Sequence, residues 1–116
     1  MLGLYRVATD AAAPLVRRYL EHRVRHGKED PARLGERFGE ASEPRPDGAL
    51  IWMHAASVGE SLSMLPLIER LRRDRPDLAL LMTTGTVTSA RLMKKRLPPG
   101  ALHQYVPLDR RAWVRR

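Results

Sequence analysis

Three short segments of strand character, separated by helical segments, constrain the fold of this chain more than any other feature. They cover residues 49–53, 78–82 and 101–106. The first two are continuously apolar and too short for typical helices, which indicates strands that are buried on both faces. Between the segments, apolar residues recur at three- and four-residue steps, the spacing of one helix face. The β-α-β-α-β order predicts an α/β fold with a Rossmann-like parallel sheet, preceded by an N-terminal helical arm.

Both strand–helix junctions contain a glycine and small polar residues. In a parallel sheet such turns lie at the carboxyl ends of the strands, where ligands bind. Glycine allows a ligand to approach the backbone, and the following helix N-terminus offers N–H donors to an anion. Neither junction matches the dinucleotide or phosphate-loop motif, so the sequence gives a dinucleotide enzyme little support. The candidate site residues at the two turns are Ser57, Gly59, Thr84, Gly85 and Thr86. Capping of the second helix explains the two threonines equally well.

The acidic residue of the first turn, Glu60, has two interpretations. Ser57-x-x-Glu60 is the pattern of a capping box, in which the serine accepts from the backbone N–H three residues on. The glutamate then reaches back to the N–H of the cap residue. A carboxylate at the end of a strand is also placed to act as a general base. Because capping boxes are far commoner than catalytic bases, spacing alone favours the structural role.

Composition limits the possible chemistry. The chain has 116 residues and no cysteine, which excludes disulfides, thiolate nucleophiles and zinc-thiolate sites. Its formal net charge of +8 favours an anionic partner, namely nucleic acid, an acidic membrane surface or a phosphorylated substrate. His22, His26 and His103 lack the spacing of metal ligands, and His54 at a strand end is typical of a structural histidine. We therefore expect no metal site.

Residues 1–26 are predicted to form the helical arm, with a break or kink at Pro14. No run of about 18 apolar residues is present, which argues against a membrane-spanning helix. Apolar residues lie beside basic ones, including Arg17, Arg18, Arg23 and Arg25. This composition suits a helix that lies in an anionic membrane surface, and equally an amphipathic helix that packs on its own domain.

Proline and glycine mark the remaining boundaries. A short helix is predicted over residues 32–38, ending at Gly39, and a linker over 41–48 leads to the first strand. The helix after Glu60 is expected to run to about Asp74, with a charged outer face near its end. Residues 109–116 predict the start of a further helix, so we expect the chain to be a fragment of a longer protein.

Five motifs occur in one order along the chain. They are Lys28-Glu29-Asp30-Pro31, Glu36-Arg37-Phe38-Gly39, Trp52-x-His54-Ala55-Ala56-Ser57-Val58-Gly59-Glu60, Thr83-Thr84-Gly85-Thr86 and His103-Gln104-Tyr105-Val106-Pro107-Leu108-Asp109. Together they resemble the N-terminal domain of the 3-deoxy-D-manno-octulosonic acid (Kdo) transferases. The resemblance covers most of the chain, and motifs in shared order and spacing are far more specific than any one of them.

The resemblance implies a glycosyltransferase B fold with two Rossmann-like domains. Residues 27–116 would then be part of the acceptor-binding domain, and the donor-binding domain would lie outside this chain. The implied reaction is inverting transfer of Kdo from CMP-Kdo to the lipid A precursor, with Glu60 as general base and no cofactor. The implied location is the cytoplasmic face of the inner membrane, held peripherally or monotopically, with no nucleic-acid partner. The fragment alone is expected to be inactive.

Two alternatives remain open from the residues themselves. One is another two-domain glycosyltransferase that uses a different nucleotide sugar. The other is a small basic module that binds nucleic acid, although the chain has few aromatic residues and no known nucleic-acid motif.

Overall fold

The computed structural model describes residues 1–115 and has the predicted α/β architecture. The elements, in chain order, are α1 (Leu2–Arg25), a 3₁₀ helix (Pro31–Phe38), β1 (Leu50–Ala55), α2 (Val58–Asp74), β2 (Ala79–Thr84), α3 (Val87–Arg96), β3 (Ala101–Tyr105) and α4 (Arg111–Val114). The strands form one parallel sheet in the order β1-β2-β3. The prediction of a Rossmann-like parallel sheet is therefore confirmed. Residue 116, the last of the predicted further helix, lies outside the described residues.

The chain divides into two compact units. We call Ala41–Val106 the sheet unit, and Met1–Glu40 together with the residues from Pro107 onwards the N-terminal unit. The domain boundary that the sequence predicts, between residues 26 and 27, stays a prediction.

Helices α2 and α3 cover one face of the sheet, because buried residues of both helices belong to one core with residues of β1 and β2. Right-handed crossovers in one direction, the rule for parallel strands, produce this arrangement. In β1, Met53 and Ala55 face these helices and are buried, whereas Trp52 on the opposite face is 61% exposed. Within residues 1–115, β1 is thus buried on one face, not on both as its apolar run predicts. The core of the sheet unit consists of Met53, Ala55, Leu65, Ile68, Leu80, Met82 and Met93.

Helix α1 runs without interruption through Pro14, so, of the break or kink predicted at this residue, the break is wrong. A proline removes one helical hydrogen bond, but the residues on either side of it pack into a common cluster that holds the helix together. This cluster is the core of the N-terminal unit and consists of Ala13, Leu20, Phe38 and Trp113.

The first two motifs of the sequence have structural roles in the N-terminal unit. Glu29 is buried, and each of its carboxylate oxygens accepts a hydrogen bond, from Arg23 Nε and Arg37 Nε respectively, both at 3.1 Å. Asp30 caps the 3₁₀ helix by accepting from the N–H of Ala32 at 3.0 Å. The helix ends at Gly39 in a left-handed conformation, as predicted. Glu29, Asp30, Arg37 and Gly39 therefore have structural roles in this unit.

The end of α2 has a specific structural role in addition to its exposed charges. Arg72 donates from Nε to the carbonyl of Pro99 at 3.1 Å, and from Nη1 to the carbonyls of Pro76 and Leu78 at 3.2 and 2.7 Å. One guanidinium therefore fastens the loops before β2 and β3 to the end of α2. The helix ends at Asp74, as the sequence predicts.

Candidate functional site

The turn between β1 and α2 holds Glu60 through two hydrogen bonds. Ser57 is the N-cap of α2, and its Oγ accepts from the N–H of Glu60 at 3.2 Å. Glu60 Oε2 accepts from the N–H of Ala56 at 2.6 Å. The capping pattern is confirmed with one difference, because the carboxylate binds the N–H one residue before the cap residue.

The Glu60 side chain is exposed, and its second carboxylate oxygen, Oε1, has no hydrogen-bond partner within residues 1–115. A carboxylate fixed through one oxygen keeps the other free to accept a hydrogen bond or a proton. Capping and proton transfer therefore use different oxygens of Glu60, so the two interpretations of this residue are compatible.

In the second turn, between β2 and α3, the two threonines have different structural roles. Thr86 is the N-cap of α3, accepting from the N–H of Ser89 at 3.1 Å and donating to Ser89 Oγ at 2.9 Å. Thr84 is fully buried, and its Oγ1 lies 2.8 Å from His103 Nε2 in the neighbouring strand. Of the two, only Thr86 therefore caps the helix, and Thr84 contributes its side chain to the sheet.

The two turns lie at the same edge of the sheet. Ala55 and Thr84 are register partners at the ends of β1 and β2, so the segments that follow them begin side by side. A Cβ atom added at Gly59 would come no closer than 3.9 Å to another atom, and one at Gly85 would meet nothing within 4 Å. Packing within residues 1–115 therefore leaves open space beside both glycines. A ligand could approach the backbone there.

One hydrogen-bonded group at this edge was not predicted. Thr83 Oγ1 lies 2.9 Å from Trp52 Nε1 and 3.0 Å from His54 Nδ1, and it links two side chains of β1 to β2. The sequence contains the three residues but gives no direct signal for the group, because the contacts depend on the register of the two strands.

Two further properties of residues 1–115 bear on function. None of their helices combines the length and the apolar character needed to cross a bilayer. They also contain no group of three histidine, aspartate or glutamate side chains placed to hold a metal ion.

Comparisons with known proteins place the chain among sugar transferases. A family model described as 3-deoxy-D-manno-octulosonic-acid transferase (kdotransferase) matches residues 32–116. The chain therefore belongs to this family, and the resemblance drawn from its motifs is confirmed.

Curated relatives agree with the family match. A probable mitochondrial 3-deoxy-D-manno-octulosonic acid transferase of Arabidopsis thaliana is 43% identical over 106 residues, covering 91% of this chain and 24% of the relative. The transferase of Rickettsia bellii is 36% identical over 109 residues, covering 94% of this chain and 26% of the relative. The transferase of Haemophilus influenzae is 42% identical over 80 residues, covering 66% of this chain and 18% of the relative. The chain spans about a quarter of the length of the first two relatives. No solved structure matches it.

Proposed function

We propose that this chain is the acceptor-binding part of an enzyme that transfers Kdo from CMP-Kdo to the lipid A precursor. The observation that carries the proposal is the Glu60 carboxylate, held through Oε2 at the carboxyl edge of the parallel sheet with Oε1 free. A general base needs this combination of a fixed position and an unoccupied oxygen. Family membership supplies the reaction class, and the site supplies the group that would deprotonate the acceptor.

In the proposed reaction, Glu60 takes the proton from a glucosamine hydroxyl of the lipid A precursor. The hydroxyl oxygen forms a bond to the anomeric carbon of Kdo, while the bond from that carbon to the CMP phosphate oxygen breaks. CMP leaves with the bonding electron pair, and the configuration at the anomeric carbon inverts. Since CMP is a good leaving group, the protein has mainly to position the reactants and remove the proton. No cofactor takes part.

The open space beside Gly59 and Gly85 supports acceptor binding at this edge. In the proposal, Ser57 and Thr86 shape the two turns as helix caps, and Thr84 supports the second turn from inside the sheet. The donor nucleotide binds to a second Rossmann-like domain outside this chain, which completes a glycosyltransferase B fold. Nucleic acid has no part in this function.

The location we propose is the cytoplasmic face of the inner membrane, with peripheral or monotopic attachment. Helix α1 supports it, because several large apolar side chains are exposed on this helix, among them Leu2, Leu4, Val7 and Leu15. Exposed basic side chains on the same helix, such as Arg18 and Arg25, complement an anionic surface.

The test is an assay of the full-length protein with radiolabelled CMP-Kdo and purified lipid A precursor, followed by mass spectrometry of the lipid product. We expect the lipid to gain the mass of one or more Kdo residues, and parallel reactions with other nucleotide sugars to give no product. Transfer from another nucleotide sugar, with none from CMP-Kdo, would contradict the proposal.

A further inference from the structure

The hydroxyl of Thr83 connects three groups of β1 within a small volume. Thr83 is 2% exposed, and its Oγ1 lies 2.9 Å from Trp52 Nε1, 3.0 Å from His54 Nδ1 and 3.4 Å from the carbonyl of Met53. The positions of these atoms, combined with their donor and acceptor properties, favour one arrangement of the protons.

An indole N–H can only donate, so Thr83 Oγ1 accepts from Trp52. The hydroxyl then has one proton to give, either to His54 Nδ1 or to the Met53 carbonyl. Hydroxyl hydrogen bonds to oxygen are usually 2.5–3.0 Å long, which makes the 3.4 Å contact with Met53 a poor one. Accepting from Trp52 also polarises the hydroxyl and strengthens its own donation. These lengths favour donation to His54 Nδ1, which leaves the hydrogen of the neutral imidazole on Nε2.

Protonation of His54 does not change the hydrogen on Nε2. In the imidazolium, Nδ1 donates to Thr83 Oγ1, and the hydroxyl turns toward the Met53 carbonyl. Nε2 carries a hydrogen in both states. His54 thus offers a hydrogen-bond donor through Nε2 whether it is neutral or charged, and it has no free lone pair with which to act as a base.

His54 is exposed and lies next to the last residue of β1, just before the turn that holds Glu60. Nothing within residues 1–115 accepts a hydrogen bond from its Nε2. We propose that His54 Nε2–H binds a hydroxyl or carboxylate oxygen of the carbohydrate substrate, and that Thr83 is the positioning residue that fixes the tautomer. The inference rests on the proposed function and divides its chemistry: Glu60 accepts the substrate proton, whereas His54 only donates a hydrogen bond.

The first test measures the tautomer. In the full-length protein labelled with ¹⁵N-histidine, His54 is assigned by its absence from the spectrum of His54→Gln. We expect a pyridine-type shift for Nδ1 and a pyrrole-type shift for Nε2. Thr83→Val, which removes the hydroxyl at nearly constant size, should give a mixture of tautomers, and Thr83→Ser should restore the original pattern. A pyridine-type Nε2 in the neutral wild type would overturn the inference.

The second test measures transfer by the full-length enzyme. His54→Leu removes the donor and should lower kcat/KM by about ten- to a hundredfold, the range for loss of one hydrogen bond to a polar or charged group. His54→Gln keeps an amide N–H at a similar distance from the backbone and should remain within a few-fold of wild type. Equal activity of the leucine and glutamine variants, at any level, would contradict substrate binding by Nε2–H.

The two tests also separate this inference from the proposed function. Wild-type protein that transfers no Kdo refutes the proposed function, while the NMR spectra still decide the tautomer on which the role of His54 depends. Wild-type protein that transfers Kdo, with a pyridine-type Nε2, refutes the inference and leaves the proposed function intact.

Discussion

Replacement of Gly39 by alanine should destabilise the N-terminal unit strongly. Gly39 has φ of 77°, a left-handed conformation that an L-residue adopts at a cost of about 1–2 kcal/mol. A Cβ atom at this position would also lie 1.9 Å from the carbonyl oxygen of Trp113, too close for any real contact. The backbone of α4 would have to move. Overpacking of this kind adds roughly 1–3 kcal/mol, so we expect a total loss of about 2–5 kcal/mol in the free energy of unfolding.

Gly27 provides the matched control. It has a similar φ of 69°, but a Cβ atom there would meet nothing within 4 Å. Gly27→Ala should therefore show the conformational cost alone, about 1–2 kcal/mol. The difference between the two alanine variants isolates the clash with Trp113.

The assay is urea unfolding of the chain followed by tryptophan fluorescence. Trp113 is buried against Phe38, with ring centroids 5.0 Å apart, so its emission reports on this unit. All variants carry Trp52→Phe, because the exposed Trp52 would otherwise contribute a second signal. Equal midpoints and slopes for the Gly39→Ala and Gly27→Ala variants would refute the argument that Gly39 is required by close packing.

Three further predictions concern binding and charge. The isolated chain should show no binding of CMP-Kdo by calorimetry, because donor binding is assigned to a domain outside it; a micromolar isotherm would show that this assignment is wrong. Changing Arg18 and Arg25 to glutamine should release the protein from anionic vesicles in a co-sedimentation assay, since each basic residue near such a surface contributes about 1 kcal/mol to binding. Added salt should have the same effect, because it screens surface charge. Equal pelleting of the protein with anionic and neutral vesicles would contradict this prediction. The hydrogen bond from Arg75 holds the pKa of Asp77 below its ordinary value. The pairing therefore stabilises the folded protein at pH values above the ordinary pKa of an aspartate. This stabilisation is lost as the pH falls through the lower pKa that Asp77 has in the folded state. Arg75→Gln should raise the pKa of Asp77 in a carboxyl NMR titration, and an unchanged pKa would contradict the pairing.

The choice of arginines for the vesicle experiment depends on the structure. From the sequence, Arg17 and Arg23 belong to the same basic set as Arg18 and Arg25. The structure shows that the Arg17 guanidinium lies 4.2 Å from the centroid of the Phe38 ring and that Arg23 pairs with Glu29. Changing these two residues would disturb folding as well as charge. They are therefore omitted.

The sequence predicts the order and type of the main elements, because apolar periodicity and the glycine and proline positions determine them locally. It places the carboxyl ends of the first two strands two residues too early, at 53 and 82 instead of Ala55 and Thr84. His54 and the threonines after residue 82 have the character of turn residues, but their side chains bond across the strands and extend the sheet. The contact of Arg72 with the carbonyl of Pro99 was likewise not predicted, since it joins segments far apart in sequence.

In the candidate site, too, some features can be predicted from the sequence and others cannot. The capping pattern around Glu60 is local and can be recognised from four residues. The hydrogen bonds between Thr83, Trp52 and His54 depend on the parallel register of β1 and β2, which spacing along one segment does not reveal. These residue pairs across strands can therefore be identified only from the structure.

The measurement that tests the role of Glu60 most directly compares two substitutions in the full-length enzyme. Glu60→Gln can still accept from the N–H of Ala56, so it should unfold close to wild type, yet its turnover should fall by roughly 10²–10⁴-fold. Ser57→Ala removes the cap but keeps the carboxylate, so it should lose about 1 kcal/mol of stability and retain most of its turnover. Turnover of Glu60→Gln within a few-fold of wild type would show that Glu60 is a helix cap and not the base.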